Sequence, residues 1–233
     1  MHNFVLAVVD TDSISICKPD MSPFDEHERL NLLNEINSKF PEHIKYADDG
    51  YFEKCIVLKA KNYILYDGKK TKIKGSALKG STKCEKLKNF TKEVIDVMIQ
   101  IDDQQEMFCC LQKLYNNYVQ EIMNIKDIKP WSSRKTLSST MTESERTNEL
   151  KIIEALKGSP YTEGDRFFTF FRSDDSVCLA ENFAGDYNRP RLLKNLYDTI
   201  SIFKTILPIK ELFLNYALKK NYKILLGAKD ESR

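Results

Sequence analysis

The apolar pattern of this chain starts with an unbroken run, Phe4-Val5-Leu6-Ala7-Val8-Val9, which ends in Asp10-Thr11-Asp12-Ser13 and gives way to the alternating Ile14-Ser15-Ile16. The first stretch reads as a buried strand and the second as a half-buried strand returning beside it. Residues 1–17 therefore predict a β-hairpin, with Asp10-Thr11-Asp12 at or just before its bend. Past a loop from Pro19 to Phe24, Ser22-Pro23 with Asp25-Glu26 marks a helix start. Leu30, Leu32, Leu33, Ile36 and Phe40 follow near helical spacing up to Pro41. From Tyr51 to Lys79 the runs become β-rich again, and Asp67-Gly68 between two of them is a hairpin signal. An antiparallel meander is expected there. The helix should cover one face of a sheet made from residues 1–17 and 51–79.

After Ser81-Thr82 the period changes. Leu87, Phe90, Val94, Ile95, Met98 and Ile99, then Met107, Leu111, Leu114, Tyr115, Tyr118 and Ile122, recur at helical spacing. One or two long helices are predicted from Cys84 to Asn124, with a break at Asp102-Asp103. Another helix runs through Leu150, Ile153 and Leu156 to Gly158-Ser159-Pro160. A small hairpin is expected around Asp174-Asp175-Ser176, then helices from Pro190 to Phe203 and from Pro208 to Lys220. The fold class is α+β. Residues 1–81 carry an antiparallel sheet with a covering helix, and residues 82–233 are mainly helical.

Length and charge refine this picture. At 233 residues the chain can bury two modest cores or one large one. The net charge is only +2, so any basic character is local. Lys59, Lys61, Lys69, Lys70, Lys72, Lys74, Lys79 and Lys83 crowd one stretch in which Asp67 is the only acid, whereas Asp20–Asp49 is rich in carboxylates. A protein that binds a polyanion on one face needs such an asymmetry. The six cysteines show no Cys-x-x-Cys spacing and the three histidines are scattered, which argues against a zinc site. No secretory signal and no apolar run of about 20 residues is present. A cytoplasmic location with free thiols, and no membrane partner, is the expectation.

Three places hold candidate chemistry, each with a competing structural explanation. In an extended chain Asp10 and Asp12 project to one side, where their carboxylates repel unless a cation or proton lies between them. Mg²⁺, which takes a few carboxylates plus phosphate oxygens, suits that position; turn carboxylates that only cap backbone N–H groups are the alternative. The lysine-rich meander, with Tyr63 and Tyr66 interleaved, can track a phosphate backbone, or can be a solvated face that protects an edge strand. Within Ile128–Ser139, Arg134 and Lys135 suit phosphate contacts, or the segment is a polar loop around a buried Trp131. Asp174-Asp175 reads as a solvated turn.

Together these segments resemble family B DNA polymerases, phage-type members above all. Asp10-Thr11-Asp12-Ser13 resembles the motif C core of the palm. Lys61-Asn62-Tyr63 resembles the Lys-x-Tyr element near the primer end, and Lys72-Ile73-Lys74-Gly75 the Lys-x-x-Gly strand after it. Gly164-Asp165-Arg166-Phe167-Phe168 and Glu181-Asn182-Phe183 resemble thumb segments. The resemblance covers most of this chain but only the last part of such a polymerase. It implies a palm portion in residues 1–81 and a thumb in 82–233. It also implies Mg²⁺ held by Asp12, with Asp10 in support, and primer–template DNA contacted by Lys61, Tyr63, Lys72 and Lys74, with Arg134 and Lys135 on the duplex. The departures are Val8-Val9 where the family usually carries Tyr-Gly, and the lack of fingers, exonuclease and the other metal-binding Asp. The resemblance therefore implies a split polymerase. Its larger subunit, or a missing N-terminal portion, would complete the site and bind the dNTP, and this chain alone would be inactive.

Two other classes compete. A non-catalytic primer–template binding module would use Lys61 and Tyr63 but not Asp12. A phosphohydrolase of the haloacid dehalogenase type would use Asp10 as nucleophile and Asp12 as acid–base; it expects a parallel sheet, which the lysine-rich meander opposes.

Overall fold

A computed structural model describes residues 4–10, 12–79, 84–144 and 146–209, and divides the chain into two compact units, residues 1–79 and 80–233. The first unit opens with the expected hairpin, β1 (Val5–Val9) and β2 (Ile14–Cys17), paired antiparallel with Val9 opposite Ile14 and an irregularity between Leu6 and Val8. Helix α1 (Glu26–Asn37) follows. It starts in a capping box: the Asp25 carboxylate accepts from the Glu28 N–H, and the Glu28 carboxylate accepts from the Asp25 N–H. Glu28 also accepts from Lys18 at 2.8 Å, which ties the preceding loop to the helix. Beyond α1 the Asn37 amide clasps the Tyr46 backbone, accepting from its N–H and donating to its carbonyl.

The meander forms as β3 (Lys54–Lys59), β4 (Asn62–Tyr66) and β5 (Thr71–Lys74), a three-stranded antiparallel sheet with β4 in the centre. The one-turn helix α2 (Ser76–Lys79) closes the unit. Its central strand supplies most of the buried apolar side chains of this unit: Tyr63, Ile64 and Leu65, with Leu58 and Leu78. The turn after β4 is displaced by one residue from the sequence expectation. Asp67 pairs with Lys70, so Gly68-Lys69 are its central residues, and Gly68 takes the positive φ of +88°. The Asp67 carboxylate instead accepts from the N–H groups of Lys69 and Lys70.

Two sequence expectations for this unit need correction. Among the described residues the hairpin and the meander form separate sheets rather than one. Nor is β1 a buried strand: Leu6 is 63% and Val9 61% exposed. A two-stranded ribbon offers each strand one neighbour and too little area to bury both faces. Helix α1 buries none of its residues fully, and Leu30 stands exposed.

The second unit is better packed. Helices α3 (Glu85–Gln100) and α4 (Gln104–Met123) break where expected, and the Asp103 carboxylate caps α4 by accepting from the Glu106 N–H. Phe90, fully buried, meets Tyr118 at 4.9 Å and Tyr115 at 6.2 Å between ring centroids; Trp131 meets Tyr118 edge-on. Helix α7 (Arg189–Ile200) packs on both helices through Leu193, Leu196 and Ile200. Each such buried side chain stabilises the unit by about 1.5–3 kcal/mol. The predicted helix at 208–220 falls largely beyond the described residues. The hairpin expected around Asp174-Asp175-Ser176 forms as β7 (Arg166–Phe171) and β8 (Val177–Leu179), and β6 (Ser133–Thr136), which was not anticipated, pairs with β7 to make a third sheet. Short helices α5 (Ser139–Thr142) and α6 (Thr147–Leu156) lie between β6 and β7 in sequence. Ile152 of α6 joins Phe167 and Leu179 in a core on one face of this sheet. The fold is α+β, with small antiparallel sheets, as expected.

Candidate functional site

The bend of the first hairpin is closed by the Asp10 N–H, which donates to the Ser13 carbonyl at 2.8 Å. That bond makes Asp10 the last residue of the ladder and leaves Asp12 exposed on the turn. Asp10 is half-buried, and its carboxylate lies 3.8 Å from the Lys61 ammonium. Fifty residues of sequence separate the two, and they belong to different sheets. An ion pair this exposed contributes about 0–1 kcal/mol to stability, so its value here is alignment. It brings the carboxylate turn and the lysine-rich sheet to one place.

Lys61 is itself a turn residue. Lys59 pairs with Asn62, which leaves Ala60-Lys61 as the centre of the β3–β4 turn, and Lys61 has a left-handed φ of +59°. A lysine in that conformation is uncommon and carries a modest cost. The turn is braced from below. Asn62 is 6% exposed and donates to the Ala60 carbonyl at 3.0 Å. Gly75, with φ +105°, backs directly onto it, since a Cβ there would lie 2.3 Å from Asn62 Oδ1 and 2.5 Å from the Lys61 carbonyl oxygen. Only glycine fits. The glycine of Lys72-Ile73-Lys74-Gly75 thus shapes the turn of Lys61-Asn62-Tyr63.

Register places the remaining lysines. Lys74 stands opposite Tyr63 and Lys72 opposite Leu65, so the two lysines share one face of β5. Lys72 donates to Asp49 at 2.6 Å and sits over the Phe52 ring at 5.8 Å. That hydrogen bond, reinforced by the charges of Lys72 and Lys74, holds the Asp49 carboxyl below its usual range. Tyr63 is only 4% exposed, so in this conformation it positions the strand rather than presenting its ring to a ligand. In the second unit Arg134 is exposed on β6 and stands opposite Phe168; Lys135, its neighbour, stands opposite the core residue Phe167 and so points to the other face.

Sequence reasoning did not find Asp49 or Asn62, nor the contact of Gly75 with the turn. Asp49 does fall in the acidic stretch before the meander, but nothing in the sequence pairs it with Lys72. Asp10 and Asp12 are carboxylates at an accessible turn and suit Mg²⁺, which commonly takes one or two protein carboxylates and fills its shell with phosphate oxygens and water. Among the described residues no group of three or more His, Cys, Asp or Glu side chains is placed to hold a metal ion. A complete site would thus draw further oxygens from elsewhere. No described helix is long and apolar enough to cross a membrane.

No protein-family model and no curated protein matches this chain. Among solved structures it is similar to the family B DNA polymerase of the hyperthermophilic archaeon Pyrobaculum calidifontis. The TM-score is 0.67 at 15% identity, over 88% of this chain and 27% of that one. Such a likeness is one of fold. The chain therefore carries a family B polymerase-like fold, and spans about a quarter of the length of the polymerase it resembles.

Proposed function

We propose that this chain supplies the motif C carboxylates and the primer–template contacts of a family B DNA polymerase. In this reading it is the small palm–thumb subunit of a phage-type split enzyme. The observation that carries this reading is the approach of the Asp10 carboxylate to the Lys61 ammonium. It joins two polymerase-like motifs, distant in sequence, at one point of a polymerase-like fold.

In this reading the division of labour is the one the resemblance implies, and the exposure of Asp12 supports it. Asp12, exposed on the turn, is the principal carboxylate toward Mg²⁺, and Asp10 supports it. The bound ion would supply Lewis-acid stabilisation of the phosphate charge during nucleotidyl transfer. Lys61 holds the primer–template backbone near the reacting end, while Tyr63, buried beneath, fixes the strand that carries it. Lys72 and Lys74 add electrostatic attraction for the DNA. The remaining metal-binding carboxylate and the dNTP-binding fingers belong to a larger polypeptide. A non-catalytic primer–template binding module is the second reading; it draws on the same lysine face and none of the carboxylates.

One experiment separates them. The tagged chain is used to recover its partner from native host extract, and the complex is assayed for primer extension with Mg²⁺. Extension that disappears in Asp12→Ala, with the partner still bound, is the expected result. Extension indifferent to Asp12→Ala would leave the binding module, and a chain that recruits no extending partner would overturn the polymerase reading.

A further inference from the structure

Between α1 and β3 the chain does not run straight into its strand. It first touches β5, at the opposite edge of the same sheet, where Asp49 and the Phe52 ring both meet Lys72. The two ends of this connection are fixed. Tyr46 is held by the Asn37 amide and packs its ring 5.4 Å from that of Phe40, and the Glu53 N–H donates to the Tyr66 carbonyl at 2.8 Å. Among the described residues, 47–52 make no backbone-to-backbone hydrogen bond. Besides the Phe52 ring, they are held by two ion pairs and a local turn. Asp49 lies on Lys72, Asp48 lies 3.4 Å from Arg29 of α1, and the Gly50 N–H donates to the Asp48 carboxylate at 2.9 Å. A segment with so few contacts opens at little cost.

The two ion pairs differ in kind. The Asp49 carboxylate is 81% exposed, and a pair in water is screened and readily displaced. Lys72 and Lys74 share one face of β5, so Asp49 stands where a phosphate would meet that face. Arg29, by contrast, has unused capacity. Its contact with Asp48 is longer than a good hydrogen bond, and its Nε is buried with no partner among the described residues. A buried donor left unpaired is costly, and a guanidinium can hold a carboxylate through two N–H groups at once. Gly50 leaves the turn room to swing, since nothing lies within 4 Å of a Cβ placed there.

We propose that residues 47–52 form an autoinhibitory strap, in which Asp49 covers Lys72 until a phosphate backbone displaces it and Asp48 closes on the Arg29 Nε. The proposal rests on the proposed function for its ligand and adds a regulation of the same lysine face. The strap sets a threshold. An anion that engages Lys72 alone must compete with a carboxylate already in place. A backbone that also engages Lys61 and Lys74 releases counterions at each lysine, and this offsets the lost pair. The face is thereby biased toward extended, correctly seated polyanions and against incidental contact, because the apparent affinity falls with the fraction of chains whose strap is open.

The test is a double-mutant cycle, read by fluorescence anisotropy of the full chain with labelled primer–template DNA across a salt series. Asp49→Asn should tighten binding by about two- to fivefold and steepen the slope of log K against log salt by up to about one unit. In a Lys72→Gln background the same substitution should change nothing, because its target is gone. Asp48→Asn removes a neighbouring carboxylate but also the hold on Arg29, so binding should be no tighter than wild type. Simple repulsion between acids and DNA would act differently. Asp49→Asn would then tighten binding with or without Lys72, and Asp48→Asn would tighten it as much; either result overturns the strap. The Gly50 amide resonance of the wild-type chain should move, on adding DNA, toward its position in free Asp49→Asn, and an unmoved resonance overturns the strap as well. Unaltered thermal unfolding shows that the variants fold. If Lys72→Gln leaves wild-type binding unchanged, the strap falls together with the contact assigned to Lys72. If primer extension is absent while the cycle still couples, the polymerase reading falls alone.

Discussion

Replacing Gly75 by alanine should damage the first unit far more than a single methyl group normally does. Two costs combine there. The backbone φ of +105° is unfavourable for any L side chain, at about 1–3 kcal/mol. The new Cβ would also lie 2.3 Å from Asn62 Oδ1 and 2.5 Å from the Lys61 carbonyl oxygen. The second of these is backbone, and must retreat by roughly 1 Å to reach ordinary contact distance, a kind of overpacking that costs about 1–3 kcal/mol. Gly50 is an internal control. Its φ of +112° is nearly the same, yet nothing lies within 4 Å of its would-be Cβ. Gly50→Ala therefore carries the strain alone, and the loss of unfolded-chain entropy is common to both variants. The difference between them, about 1–3 kcal/mol, isolates the contact with the Lys61 turn. The only tryptophan, Trp131, lies in the other unit, so its fluorescence is the wrong probe. Native-state hydrogen exchange at the amides of Tyr63, Ile64 and Leu65 reports on the right sheet, with about tenfold faster exchange for each 1.4 kcal/mol lost. Equal acceleration in the two variants would refute the claim that Gly75 shapes the Lys61 turn.

Two further outcomes are expected. Asp49 occupies Lys72 as a DNA phosphate would, so Asp49→Asn should tighten primer–template binding and steepen its salt dependence by up to about one unit as Lys72 is released; an unchanged anisotropy titration would show that Lys72 does not meet DNA. Burial, followed by the hydrogen bond it donates to Glu93, raises the Tyr118 hydroxyl above its usual range. A raised value in the folded state means its contribution is complete below the usual tyrosine range and is lost as pH rises beyond it. Tyr118→Phe should accordingly flatten the alkaline fall in stability of the second unit, measured by Trp131 fluorescence; a slope identical to wild type would rule this out.

The periodic parts of the fold were legible because their side chains pack by period. Phe90, Val94 and Ile95, then Leu111, Tyr115, Tyr118 and Ile122, sit on the buried faces of α3 and α4 as their spacing implied. The hairpin with Asp10 and the lysine-rich meander were equally readable, since turn residues punctuate them. Strand β6 was not. Ser133-Arg134-Lys135-Thr136 has no apolar alternation, and its strand character comes from pairing with β7, a partner thirty residues away. The hydrophobicity of β1 also misled, because an apolar run predicts burial only where something lies across it. Of the candidate site, the residue types were visible in the sequence but their grouping was not. Asp10 beside Lys61, Asp49 on Lys72 and Gly75 under the turn are all products of register and turn geometry. That Arg134 and Lys135 part company follows from strand alternation alone, once β6 is known to be a strand.

The uneven distribution of buried side chains has a consequence for how the molecule melts. Among the described residues the first unit buries Leu58, Tyr63, Ile64, Leu65 and Leu78, whereas the second encloses three fully buried phenylalanines besides its leucines and isoleucines. Cores so different in size are expected to differ in melting temperature, and two-state unfolding is not the default for a chain of two units. Calorimetry should resolve a small early transition and a larger late one. A ligand raises only the transition of the unit that holds it. The thermogram of this chain thus doubles as a map: whatever binds beside Asp12 moves the early peak, and whatever binds on the second unit moves the late one.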